Sequence, residues 1–453
     1  MKTEHSMKRL GAILALMAAM LFGALAAPAS AAMQADPASA AVPAVMLLAQ
    51  TAPAADAPAA PAADAPAAEE PTLNSCDTAW MLTSTLLVIL MTIPGLALFY
   101  GGLARSKNML SVLMHVMAVF ALITLLWSIY GYSLAFSNGG SFYGDFGKLF
   151  LKGITPDTLS GTIPEYVFVA FQSTFAAITC ALIVGSFAER IKFSAVLLFS
   201  VLWFTFAYLP MAHMVWAPSG LLFKEGALDF AGGTVVHINA GVAGLVGAWV
   251  VGRRIGYGRE AMAPHSLTFT MIGASLLWVG WFGFNAGSAL EANASAGLAM
   301  INTFVATAAA ALTWMVVEKL MGHKGSALGF CSGVIAGLVA VTPAAGNSGP
   351  MGAIVLGIVA SVVAYFAVAK LKPKLGYDDS LDAFGIHGIA GIVGAVGTGI
   401  VFSPALGGPG GDDFAMGPQV ATQHIAVAVA VAWAAVGTLI SFYFAKALTG
   451  LRV

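Results

Sequence analysis

Long apolar segments separated by short polar ones occupy most of this chain. After about Asp77, eleven apolar segments are each long enough to cross a membrane, which takes roughly 20 helical residues. The pattern predicts an all-α polytopic membrane protein with eleven transmembrane helices. The predicted spans are 79–103, 109–136, 165–188, 194–212, 231–252, 266–289, 296–318, 326–343, 350–371, 381–402 and 420–447.

The N-terminal region does not follow this pattern. Three basic residues precede a short apolar run that ends in Ala-Ser-Ala, so we expect residues 1–31 to be a secretory signal peptide. Residues 32–75 are rich in alanine and proline and cannot bury a core, which predicts a flexible extracytoplasmic tail. The membrane domain is then expected to comprise residues 76–453.

The distribution of positive charge predicts the orientation. If the N-terminus lies outside, the inner loops and helix ends hold fourteen of the 20 lysines and arginines, the outer ones hold three, and the signal region holds the others. Positive charge is enriched on the cytoplasmic side of membrane proteins. The sequence therefore predicts an N-out, C-in protein of the inner (cytoplasmic) membrane that crosses it many times.

Two histidines inside the apolar segments open the same motif. His237 and His387 both begin H-x-x-A-G-x-x-G-x-x-G, and they fall in spans five and ten, which run in opposite directions. This placement predicts a 5+5 inverted repeat plus one helix, with both rings near the middle of the membrane. An ionisable ring at that depth indicates a functional site. The alternative is a pair of unrelated core histidines, and close helix packing is a sufficient explanation for the glycines.

Aromatic residues and one hydroxyl form a second candidate site. Helical spacing puts them on single faces of their spans, close to the outer side, where π faces and a hydroxyl acceptor would suit a small cation. An interfacial aromatic belt is the alternative interpretation. The residues are Phe171 and Phe175 in span three, Trp216 after span four, and Trp281, Phe284 and Ser288 in span six.

Two aspartates precede the histidine helices. Asp229 lies just before span five, where a carboxylate can cap the helix N-terminus. Direct contact with a ligand is the weaker interpretation, although the negative charge would favour a nearby cation. Asp382, five residues before His387, receives the same interpretation in span ten.

Composition excludes several classes of function. The chain is 59% hydrophobic and 9% charged, with a mean hydropathy of +0.87, whereas soluble domains are about 25% charged. A soluble enzyme is therefore disfavoured, and a net charge of -1 argues against a nucleic-acid partner. Two histidines without a third ligand nearby in the sequence make a poor metal set, which disfavours a membrane metalloenzyme and predicts no cofactor.

The chain resembles the Amt/Rh/MEP ammonium transporter family, on its bacterial Amt side. The resemblance runs from about residue 74 to Val453 without large gaps, and the stretch D-F-A-G-G-T-V-V-H is very specific. It is carried by M-T-I-P-G-L-A-L-F-Y-G-G-L (91–103), A-E-R-I-K-F-S-A-V-L (188–197), A-H-M-V-W (212–216), A-L-D-F-A-G-G-T-V-V-H-I-N-A (227–240), G-W-F-G-F-N-A-G-S-A (280–289), S-G-V-I-A-G-L-V-A-V-T-P (332–343) and D-A-F-G-I-H-G-I-A-G-I-V-G (382–394).

The resemblance implies a homotrimer with one pore in each subunit, a transporter of ammonium and methylammonium, and no enzymatic activity. It implies that ammonium loses a proton near a phenylalanine gate and that ammonia passes the histidines, with a separate relay for the proton. Conduction of ammonia alone and an ammonium sensor with little transport are the alternatives. The implied recruitment site is Phe171, Phe175, Trp216 and Ser288, supported by Asp229, above a gate of Phe175 and Phe284 and the pore pair His237 and His387.

One departure from the family pattern concerns regulation. Family members usually continue past G-L-R-V into a polar cytoplasmic tail that helps to dock a PII-type signal protein. The sequence stops at Val453. A PII-type regulator is therefore left open as a partner.

Overall fold

The computed structural model describes residues 72–453, so the predicted signal peptide and nearly all of the predicted tail lie outside the described residues. Within that range, eleven helices are long and apolar enough to cross a membrane, and the protein is a multi-pass membrane protein. They are α1 (Ser75–Leu103), α2 (Ser106–Phe136), α3 (Glu165–Phe187), α4 (Phe193–Lys224), α5 (Gly233–Val251), α6 (Leu267–Gly287), α7 (Ala294–Leu320), α8 (Ala327–Ala344), α9 (Pro350–Leu375), α10 (Phe384–Val401) and α11 (Met416–Thr449).

Consecutive helices are antiparallel, and their connections form two faces, each named here after one aspartate. The Asp229 face carries a short hairpin in which β1 (Leu159–Ser160) pairs with β2 (Ile163–Pro164). It also carries two 3₁₀ helices, Leu149–Leu151 and Pro404–Leu406. The Asp229 face comprises residues 137–164, 225–232, 288–293, 345–349 and 402–415, and the Asp379 face comprises residues 104–105, 188–192, 252–266, 321–326, 376–383 and 450–453.

The two histidine helices begin in the same unusual way. The first turns of α5 (Gly233–Ile238) and α10 (Phe384–Ile389) are π-helical, and each contains its histidine. Single π-helical turns are rare and are frequent at functional sites. The resulting shift in side-chain direction occurs at equivalent places in the two helices.

A carboxylate caps each of these turns, eight residues before the histidine. Asp229 accepts hydrogen bonds at the start of α5, as predicted from its position. In α10 the prediction of Asp382 as the cap was wrong: Asp379 accepts from Ala383 N and Phe384 N. The carboxylate of Asp382 pairs with Lys372 instead, because its backbone takes a left-handed conformation with φ 60°.

The two helices cross at the glycines of the motif. A Cβ atom on Gly241 would lie 2.3 Å from the backbone nitrogen of Gly388, and one on Gly391 would lie 3.2 Å from the Cβ of His237. Each motif glycine thus allows the other helix to approach closely at its histidine. Packing is a sufficient role for these glycines, as in other close helix contacts within membranes.

The next glycine of each motif shows that the halves are equivalent. Gly244 packs against Ser186 of α3, and Gly394 packs against Ala340 of α8. Since α3 and α8 are the third helices of their halves, α1–α5 and α6–α10 form the predicted 5+5 inverted repeat. The remaining helix, α11, packs along both α5 and α10.

Helix α4 is longer than its predicted end at residue 212. Its continuation contains His213, a polar residue that shortens the apolar segment in the sequence. In the structure this ring is fully buried, with Nδ1 2.9 Å from the carbonyl oxygen of Ala135 and Nε2 2.8 Å from that of Gly140. These hydrogen bonds satisfy the ring, so the helix continues and brings Trp216 inside it.

Candidate functional site

Three phenylalanine rings stack inside the bundle near the Asp229 face. The ring centroids of Phe175 and Phe284 are 4.1 Å apart with the planes at 25°, and Phe171 meets the edge of Phe175 at 4.9 Å. Each of the three side chains is at most 1% exposed. They do not face lipid, so an interfacial belt does not describe them. Spans three and six, separate in the sequence, supply the two halves of this stack.

Trp216 and Ser288 adjoin the stack on the side of the Asp229 face. The ring of Trp216 lies at 85° to that of Phe175, with centroids 5.9 Å apart. Ser288 is half-buried at the end of α6, and its hydroxyl donates to the carbonyl oxygen of Phe284 at 2.8 Å. Because the hydroxyl hydrogen is used in this way, the oxygen presents its lone pairs as an acceptor. We call Phe171, Phe175, Trp216, Phe284 and Ser288 the aromatic mouth.

Asp229 supports the aromatic mouth from beneath the surface. Its carboxylate accepts from the backbone amides of residues 232–235 and from the hydroxyl of Thr234, and its carbonyl oxygen accepts from Trp216 Nε1 at 3.1 Å. Burial raises the pKa of Asp229, and the hydrogen bonds from Thr234 and the neighbouring amides oppose that rise. The residue therefore fixes both the start of α5 and the tryptophan ring, mainly through its hydrogen bonds.

His237 and His387 face each other in the interior of the protein. Their Nδ1 atoms are 3.3 Å apart, and the rings are 1% and 4% exposed. At this separation one Nδ1 donates a hydrogen and the other accepts it, so the two tautomers are coupled. The Nε2 atom of His237 is buried and has no partner within the described residues. The structure thus brings together two rings that are 150 positions apart in the chain.

Trp281 connects the histidines to the aromatic mouth. Its ring stacks on His237 with centroids 5.3 Å apart, and it also lies 5.4 Å from Phe284. The indole Nε1 donates to Thr342 Oγ1 at 3.0 Å, which holds the ring in place. The spacing of span six had grouped Trp281 with the outer residues, but the structure places it beside the histidine pair. Thr342 had no signal in the sequence, because only the fold brings α8 next to α6.

A cavity of about 460 Å³ lies beside the start of α10 at the Asp379 face. We call it the Asp379-face cavity. Ile386, the residue before His387, lines it, and so do five charged side chains. These are Arg254, Glu260, Glu318, Lys372 and Asp382.

The arrangement can hold a small cation at one end and pass a proton in the middle. Stacked rings and a hydroxyl acceptor lie at the Asp229 face, and a buried imidazole pair lies below them. Within residues 72–453 there is no group of three or more histidine, cysteine or acidic side chains that could hold a metal ion. The π faces and the hydroxyl suit a small cation, and an imidazole can accept and release a proton.

The sequence matches a family model described as the Ammonium Transporter Family over residues 79–453. The chain belongs to this family. An ammonium transporter of Aquifex aeolicus is 50% identical over 391 residues, which cover 85% of this chain and 90% of the relative. The resemblance found in the sequence motifs is confirmed.

Solved structures of the family share the fold. Mep2 from Candida albicans aligns with a TM-score of 0.78 and 33% identity, covering 84% of this chain and 87% of that one. A protein described as a sensor Amt protein aligns with a TM-score of 0.77 and 27% identity, covering 83% of this chain and 95% of that one. Proteins that share this architecture thus include one whose name describes a sensor.

Proposed function

We propose that this family member transports ammonium across the inner membrane, recruiting it at the aromatic mouth and conducting it past the histidine pair. The observation that carries the proposal is the contact of 3.3 Å between His237 Nδ1 and His387 Nδ1, directly beneath a stacked phenylalanine pair. Names of relatives at up to 50% identity support ammonium as the substrate.

Recruitment takes place at the aromatic mouth. The faces of Phe171 and Trp216 attract a small cation, and the lone pairs of Ser288 accept one of its hydrogens. Methylammonium binds in the same way because it retains hydrogens to donate. Asp229 adds negative charge near the site and holds Trp216 through its backbone carbonyl.

Passage beyond the mouth requires loss of a proton. The idealised cost of moving an ammonium-sized ion into a dry interior is on the order of 20 kcal/mol, and a row of rings does not replace its hydration shell. Phe175 and Phe284 close the path with a stack that has no space between the rings. Ammonium therefore gives up its proton at this gate, and neutral ammonia continues. Potassium is rejected because it has no proton to lose.

The histidine pair carries the proton. Burial disfavours the charged imidazole, so both rings are neutral at rest and take up a proton transiently. The shared hydrogen between the Nδ1 atoms lets a proton accepted by one ring leave from the other. Net transport is then electrogenic.

Orientation, assembly and processing are part of the same proposal. The Asp229 face lies outside in this proposal, which is supported by fourteen lysines and arginines on the side of the Asp379 face against three on the other side and by the positive-inside rule. The homotrimer, the PII-type regulator and the cleaved signal peptide stay predictions of the sequence.

The test is current across a supported membrane after an ammonium jump, with purified protein in vesicles. Replacing both His237 and His387 by alanine is expected to abolish the current, because the pore then has no group to carry a proton. A single histidine to glutamate change is expected to keep current and to admit potassium, since a fixed carboxylate stabilises a passing cation. Thermal unfolding of each variant checks that the fold is intact. A folded double-alanine protein with undiminished ammonium current would refute the relay.

A sensor with little transport is the second candidate function. The observation in its favour is the similarity in fold to the sensor Amt protein at a TM-score of 0.77. In a sensor, ammonium binds at the aromatic mouth without turnover. Ammonium binding measured by calorimetry, together with no current in the same preparation, would favour the sensor over the transporter.

A further inference from the structure

The charge arrangement at the Asp379-face cavity differs from that at the aromatic mouth. Lys372, in the last turns of α9, extends its ammonium group to Asp382, with Nζ 2.5 Å from Oδ1. The side chains are 17% and 31% exposed, so the pair lies at the boundary between the cavity and solvent. The carbonyl oxygen of Asp382 accepts from Ile386 N at 3.0 Å, which fixes the pair at the first turn of α10, next to His387.

Of the other charges of the cavity, Arg254 is paired, whereas Glu260 and Glu318 have no cationic partner among the ion pairs of residues 72–453. Arg254 is bound to Asp378 at 2.8 Å and lies 3.7 Å from Glu189, so its charge is already offset. Glu318 accepts hydrogen bonds from the amide and hydroxyl of Ser326 at the start of α8. Glu260 is exposed and lies in the connection between α5 and α6. The positive charge next to the histidine helix therefore comes from Lys372.

Lys372 also acts on the buried capping residue. Burial raises the pKa of Asp379, and the charge of Lys372 opposes that rise. One lysine thus faces the two carboxylates that flank the start of α10. At the other end of the molecule, within residues 72–453, all hydrogen-bond partners of the Asp229 carboxylate are backbone amides and Thr234, and no ion pair reaches it.

We infer that Lys372, by pairing with Asp382, weakens the recruitment of ammonium at the Asp379-face cavity and so slows transport that starts from this face. The inference rests on the proposed transport function and adds a residue that limits entry from one side. Charged side chains at a pore entrance set the local concentration of permeant ions. A paired carboxylate attracts no cation, and an unpaired one at the same place does.

The size of the effect follows from Coulomb's law at a partly exposed site. A unit charge several ångströms from a cation changes its local occupancy by roughly 3- to 30-fold, and salt reduces this. We expect the charge of Lys372 to raise the half-saturating ammonium concentration measured from the Asp379 face about fivefold. The reversal potential is the same from both sides, because a fixed charge changes rates and not the driving force.

The experiment requires vesicles in which the orientation of the protein is known, and an exposed cysteine provides a labelling site for this purpose. Cys76 is exposed at the start of α1 on the side of the Asp229 face, whereas Cys180 and Cys331 are buried. A membrane-impermeant biotin maleimide labels Cys76 only when the Asp229 face is outside. Streptavidin then separates vesicles holding one assembly each into captured and uncaptured populations. An external ammonium jump enters through the Asp229 face in the first and through the Asp379 face in the second.

Three variants isolate the ion pair. Lys372→Met is expected to lower the half-saturating concentration about fivefold in the uncaptured population and to leave the captured one unchanged. Lys372→Arg keeps the charge and is expected to behave like wild type. Lys374→Met is the matched control. It removes an exposed charge two residues after Lys372, and Lys374 does not line the cavity.

The double variant Lys372→Met with Asp382→Asn separates the freed carboxylate from the lost lysine. It is expected to return the uncaptured population to the wild-type concentration dependence. Equal changes from both faces, no change from either, or a double variant that behaves like Lys372→Met would overturn the inference. If Lys372→Met does not fold, Lys372→Gln takes its place, and a half-saturating concentration from the Asp379 face equal to that of wild type overturns the inference. Absence of wild-type current from either face would instead refute the proposed function.

Discussion

At the start of α5 the carboxylate of Asp229 receives four backbone amides and a hydroxyl, whereas at the start of α10 the carboxylate of Asp379 receives two amides. Both residues lie eight positions before a histidine, and both cap a π-helical turn. The repeat thus gives the two ends of the molecule the same backbone plan. The number of hydrogen bonds already distinguishes the two carboxylates.

The surroundings of the two carboxylates differ more than their backbones. Aromatic rings and a serine hydroxyl cover the Asp229 end, whereas ion pairs surround the Asp379 end. Burial would raise the pKa of Asp378, but hydrogen bonds from Arg254 and the charges of Arg190 and Arg254 outweigh it and hold that pKa below its usual value. The difference shows that an inverted repeat fixes where a path runs, and that the side chains at each end decide which ion enters it.

The largest expected effect concerns the two caps. Asp229→Ala is expected to be nearly inactive and to lose about 2 kcal/mol of stability, the upper end for an N-cap, because five donors lose their acceptor. Asp379→Ala is expected to lose about 1 kcal/mol. Ammonium-induced current and thermal unfolding measure the two effects.

Asp229→Glu is the control for this pair and is expected to retain more transport than Asp229→Ala, since it keeps the charge and part of the hydrogen bonding. Wild-type transport and stability in Asp229→Ala would show that neither capping nor charge matters at this end. A larger loss of stability in Asp379→Ala than in Asp229→Ala would contradict the expected order of the two caps.

An intermediate effect is expected at the crossing of the two histidine helices. Gly241→Ala puts a Cβ 2.3 Å from backbone of Gly388, whereas Gly391→Ala puts one no closer than 3.1 Å to the side chain of Ile238. Overpacking costs about 1–3 kcal/mol, so Gly241→Ala is expected to lower the unfolding temperature and Gly391→Ala to have a small effect. Thermal unfolding in one detergent compares them directly. Equal decreases in the unfolding temperature would mean that the two glycines are packed equally tightly.

The smallest expected effect concerns the aromatic mouth. Trp216→Leu removes a π face worth roughly 0.5–2 kcal/mol to a bound cation, and Ser288→Ala removes one hydrogen-bond acceptor worth about 1 kcal/mol. Both are expected to raise the half-saturating concentrations of ammonium and methylammonium severalfold while leaving the predicted homotrimer intact. With vesicles of known orientation, the rise is expected only from the Asp229 face. An unchanged concentration dependence in both variants would contradict a recruitment role.

Periodicity and composition predicted the spans well because the membrane imposes a length and an apolar composition on each helix. The end of α4 was misplaced because His213 is polar, and its burial depends on carbonyl groups that come from other elements. The capping residue of α10 was assigned to Asp382 because spacing along one helix cannot show the left-handed backbone that turns its side chain toward Lys372. Trp281 was predicted too close to the outer side for a similar reason. Helical spacing shows which face of a helix a residue lies on, but not how deep in the membrane it lies.

The sequence by itself determined the family, the eleven spans, the inverted repeat and the pair of histidines to examine, because these depend on local patterns and on a repeated motif. Only the tertiary structure decided that the two Nδ1 atoms lie 3.3 Å apart, that Phe175 stacks on Phe284, and that Lys372 reaches Asp382. These contacts join helices that are distant in the chain. Their distances follow from how closely the glycine-lined helices cross, which is a property of packing in three dimensions and is not written in the spacing of any one segment.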